Sequence, residues 1–83
     1  MGSLLSELIY EINGYLKGKS SHRDLEAWVV VNLQRILDSG DATAIRIADE
    51  VDASFVEVGE GLIGQSTLKR RLAKLVRETL AAS

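Results

Sequence analysis

Between Ser3 and Lys17 the apolar residues Leu4, Leu5, Leu8, Ile9, Ile12, Tyr15 and Leu16 fall on one wide face when the chain is wound at about 100° per residue. Glu7, Glu11 and Asn13 fall outside that face, so the segment is predicted to be an amphipathic helix. Gly18 stands where a left-handed C-terminal residue belongs. Ser21, with Asp24 three positions on, reads as a loose capping box that opens a second helix over His22 to Asp38. Its inward stripe is expected to be Leu25, Val29, Leu33 and Ile36, widened by Val30 and Leu37, with Trp28 and Val31 off the stripe. The run Trp28-Val29-Val30-Val31 favours a strand by propensity, but it lies inside a helical period between good helix formers and is read as helix.

Gly40 and Asp41 form the next stop and restart, Gly40 ending one helix and Asp41 capping the third. There Ala44, Ile47, Ala48, Val51, Phe55, Val58 and Leu62 make one apolar stripe, opposite Arg46, Asp49, Glu50, Glu57 and Glu60. Gly59, Gly61 and Gly64 place its end between Val58 and Leu62. Ser66 is then expected to cap a last helix from Thr67 to about Ala81, with Leu68, Leu72, Leu75, Val76 and Thr79 inward and Arg70, Lys74 and Arg77 outward. Four helices joined by short turns predict antiparallel neighbours: an all-α up-down bundle of helix-turn-helix-like pairs without a sheet. At 83 residues this is read as a single domain over 1–83, with residues 1–3 as a cloning remnant.

Charge divides the chain. Residues 1–64 carry five bases and eleven acids, whereas residues 65–83 carry five bases and one acid. Either the two segments pair with each other or the basic one serves an anionic partner. Apolar residues make up 46% and charged residues 27%, the composition of a globule rather than a disordered chain. The absence of cysteine removes disulfides and thiolate zinc sites and suggests the reducing cytoplasm. No apolar run approaches the roughly 20 residues that span a bilayer, and Met1-Gly2-Ser3 lacks signal-peptide features, so no membrane association is expected.

The inventory for catalysis is thin: one histidine, no cysteine and no nucleophile-elbow pattern. His22 is expected to be a solvated surface residue beside Asp24 and Glu26, without partners for a metal. Asp49, Glu50 and Asp52 diverge around a helix rather than converging on a substrate. Gly59-Glu60-Gly61-Leu62-Ile63-Gly64 matches the letters of a dinucleotide fingerprint, but it follows a helix instead of a strand. No enzyme activity, cofactor or small-molecule substrate is expected.

Ser66-Thr67-Leu68-Lys69-Arg70-Arg71-Leu72 resembles the start of a recognition helix, and Ala44 to Val51 the helix before it, as in helix-turn-helix repressors. That motif joins its helices by three or four residues, whereas here Asp52 to Gln65 intervene. A nucleic-acid-binding regulator using Lys69, Arg70, Lys74 and Arg77 is therefore the alternative reading. The preferred one is a non-catalytic protein–protein interaction module. Trp28 and Val31 beside Arg35 would form an apolar patch with an arginine edge, most simply covered in a homodimer. A small bacterial-style inhibitor or adaptor, of a toxin-neutralising kind, would instead present Glu50, Glu57 and Glu60 to a basic protein partner.

Overall fold

Four helices follow one another in the computed structural model: α1 (Leu4–Leu16), α2 (His22–Asp38), α3 (Ala42–Gly59) and α4 (Gln65–Ala82). The structure describes residues 3–82; Met1 and Gly2 of the expected remnant lie outside them. Ser3, assigned to the same remnant, is the N-cap of α1, its Oγ accepting the Ser6 amide at 3.1 Å.

The boundaries follow from local chemistry. Ser21 and Asp24 make a reciprocal capping box, each side chain accepting the other residue's amide at 3.0–3.1 Å. Asp41 accepts the amides of Thr43 and Ala44 and so satisfies two of the free donors at the start of α3. Gly18, Gly40 and Gly61 follow the first three helices with φ of 78°, 69° and 76°. At Gly61 the left-handed backbone lets Leu62 donate to Glu57 O at 2.9 Å and Gly61 to Val58 O at 3.1 Å, the paired bonds of a Schellman ending. The glycine-rich run from Gly59 is thus a helix stop. α4 starts earlier than predicted: Leu68 N already donates to Gly64 O at 3.1 Å, so Ser66 is a helical residue and not the cap.

The bundle runs up-down-up-down. At one end the side chains of Tyr15 (end of α1), His22 (start of α2), Phe55 (near the end of α3) and Gln65 (start of α4) meet. At the other, Leu5, Ile9, Thr43, Arg46 and Leu80 line a common hollow. Each helix packs on its chain neighbours, α1 also packs on α4 and, across the diagonal, on α3, while α2 and α4 take opposite sides.

The core is built from Leu8, Ile12 and Tyr15 of α1, Leu25, Val29 and Ile36 of α2, Ala44, Ile47, Ala48, Val51 and Phe55 of α3, and Leu68, Leu72, Leu75 and Val76 of α4. Each fully buried Leu or Ile contributes roughly 1.5–3 kcal/mol by leaving water. Thr79 is also buried, its hydroxyl donating to Leu75 O at 2.8 Å. The inward stripe of α4 thus matches its expected membership in full.

The stripes of α2 and α3 differ from expectation. Val30 and Leu37 do not widen the buried face of α2; they are 64% and 43% exposed. Asn32 takes an inward place instead, and Leu33 is half-buried. The reason is tertiary: α2 touches only α1 and α3, and two neighbours cover only the inward part of its circumference. Leu62 leaves the α3 stripe because the helix closes at Gly59, and Ile63 packs against the core in its place.

Candidate protein interface

α2 holds the residues singled out as an interface, and its geometry explains how they sit. Successive helical positions turn about 100°, so Ala27, Val30, Val31, Gln34 and Leu37 point away from the buried Leu25, Val29, Asn32 and Ile36. Val31 is 77% exposed and lines a shallow hollow with Arg23, Glu26, Ala27, Val30 and Asp52 of α3. Trp28 lies toward α1. It packs against the core and shares a groove with Ser6, Glu7, Tyr10 and Glu11, which leaves the indole half-buried. Tyr10, 75% exposed, adds a second aromatic ring at this edge. The apolar surface is thus broader than Trp28 and Val31, and its rim holds the carboxylates of Glu7, Glu11, Glu26 and Asp52.

Asn32 organises the edge. Its Nδ2 donates to Trp28 O at 2.9 Å, and its Oδ1 accepts from Arg35 Nη1 at 2.8 Å. A buried amide needs such partners, and here both lie on the same helix. The consequence is that Arg35 is held on the same side of α2 as Trp28. Sequence reasoning placed Arg35 at the patch but missed Asn32; the available signal was a polar residue falling on the inward period between Val29 and Ile36.

The acidic residues of α3 are dispersed along its outer side. Glu57 forms an ion pair with Arg71 of α4, and with Glu50, Lys74 and Glu78 these residues edge a groove floored by Ser54, Leu72 and Leu75. Glu50 and Glu60 remain exposed. Helices three and four are neighbours joined by this pair, in line with the charge split along the chain. An exposed ion pair contributes about 0–1 kcal/mol, so it orients the two helices more than it holds them.

The bases of α4 separate by direction. Lys69 lies over the Tyr15 ring, its Nζ 5.5 Å from the centroid. Arg70, Lys74 and Arg77 are exposed, and Arg70 donates to Thr67 Oγ1 at 3.3 Å.

His22 departs from its expected place as a free surface residue. Its ring stacks on Phe55 with centroids 4.7 Å apart, and Nδ1 lies 2.9 Å from Gln65 Nε2. Gln65 Oε1 in turn accepts from Tyr15 Oη at 2.9 Å, so one amide ties three helices at this end of the bundle. Burial raises the Tyr15 pKa above its ordinary value, which keeps the phenol a donor. This cluster had no signature in the sequence, because its members lie up to fifty positions apart. Its bonds are internal ones that close the end of the bundle.

Among the described residues no three His, Asp or Glu side chains gather as metal ligands. None of the described helices is long and apolar enough to cross a membrane. Comparison of the chain with protein-family models, with curated proteins and with solved structures finds no match.

Proposed function

We propose that this chain is a non-catalytic association module whose contact surface is the outward face of α2 and whose first partner is a second copy of itself. The observation that carries the reading is the exposure of Val30, Val31 and Leu37 along the one side of α2 that no helix covers, beside the half-buried Trp28. Exposed apolar side chains on an uncovered helix face, rimmed by charge, have the composition of an interface core. Light scattering after size exclusion, over a range of concentrations, tests it. A mass rising from 9.1 kDa toward twice that value is expected, and Val31→Asp returns it to the monomer with unchanged helicity. A monomer at every concentration overturns self-association.

A second reading rests on the exposed row Arg70, Lys74 and Arg77, which suits a polyanion such as nucleic acid. Under it, Arg70→Ala and Lys74→Ala weaken duplex binding and flatten its salt dependence. The acidic carboxylates edging α3, with Glu57 already committed to Arg71, oppose a close approach of phosphate.

A further inference from the structure

We infer that two copies pair through α2 in antiparallel register, about a two-fold axis passing beside the Val30–Val31 step. This deepens the association proposed above and rests on it. The argument comes from the order of residues on the outward face. Ala27 stands three positions before Val30 and Gln34 three after Val31; Arg23 stands seven before and Asp38 seven after. Charge is thus antisymmetric about the step.

All four flanking residues are exposed, and neither Arg23 nor Asp38 belongs to an ion pair among the described residues. In an antiparallel pair each Arg23 meets Asp38 of the second copy, twice by symmetry, with Val30 and Val31 stacked between. In a parallel pair Arg23 would meet Arg23 and Asp38 would meet Asp38. Like charges across a contact are unfavourable, so the pattern selects the antiparallel form. A two-fold axis also requires one patch to complement itself.

The α1-facing edge repeats this logic. Trp28 and Arg35 lie two turns apart on the same side of α2, and Asn32 holds the guanidinium there. The axis carries each Arg35 toward Trp28 of the second copy, where an arginine over an indole face is favourable. A single helix pair is a small contact, at the low end of specific interfaces, so the association is expected to be weak and reversible.

The native chain has no cysteine, which makes single-cysteine variants unambiguous. In the full chain, Val31→Cys sits beside the axis and is expected to form an interchain disulfide far faster than Val56→Cys, which is 51% exposed on α3. Arg23→Asp and Asp38→Arg should each weaken dimerisation several-fold in sedimentation equilibrium, and the double swap R23D/D38R should restore it. Equal cross-linking at positions 31 and 56, or a double swap no better than the singles, in a protein that still dimerises overturns this geometry and leaves self-association standing. A monomer under all conditions overturns both.

Discussion

Asp24 is exposed, yet its carboxyl is held below the usual carboxylate range by the Ser21 amide first and the Ser21 hydroxyl second. A depressed acid pKa means that the ionised form is favoured in the folded chain, so the capping contribution is present above the unfolded carboxylate pKa. It is lost as pH falls through the folded value. An NMR titration of the side chains should therefore give Asp24 a midpoint that rises in Ser21→Ala, with the first-turn amides of α2 losing protection below it. An unchanged midpoint would remove the Ser21 hydroxyl as a cause and leave the backbone amide, which alanine retains. Ser21 and Asp24 were legible because a cap is a local motif whose partners lie three positions apart. His22 and Gln65 were not, since their partners lie on other helices far along the chain; the partners of Asn32 are local, but its burial depends on which helices cover α2.

The helices end where their backbones allow. Gly61 adopts φ of 76°, which side chains with a Cβ rarely accept, whereas Gly59 is the last residue of α3 and a Cβ there would meet nothing within 4 Å. Gly61→Ala is accordingly expected to destabilise the chain by about 1 kcal/mol, and Gly59→Ala to stabilise it by about 0.5–1 kcal/mol. Urea denaturation midpoints check both, and shifts of the same sign would refute the account. Periodicity placed all four helices, and glycines placed the ends of the first three to within a few residues. The start of α4 was misplaced at Ser66 because a good capping residue was present in sequence while Gly64 already supplied the first accepting carbonyl.

In the bundle as a whole, α2 and α4 occupy opposite sides, so the apolar, acid-rimmed face and the outward basic row point away from each other. The Glu57–Arg71 pair joins the acidic and basic segments at the α3–α4 seam and leaves Arg70, Lys74 and Arg77 outward. If α2 binds a second copy, the native state gains stability by mass action. The thermal midpoint should then rise with protein concentration and become independent of it in Val31→Asp. A midpoint that does not move with concentration in the unsubstituted chain would count against self-association.

Helix number, order, the caps of α2 and α3 and most of the core could be read from the chain, because each depends on spacing within a few turns. Leu8, Leu25, Ile47 and Leu72 are buried as their periods require. The width of each buried stripe was decided only by packing. Val30 and Leu37 have the same apolar character as Val29 and Ile36, but two neighbouring helices cover α2 only on its inner side and leave the former outside. The candidate interface is therefore a product of the tertiary arrangement: composition supplied surplus apolar residues, and the geometry of four packed cylinders determined which of them face water.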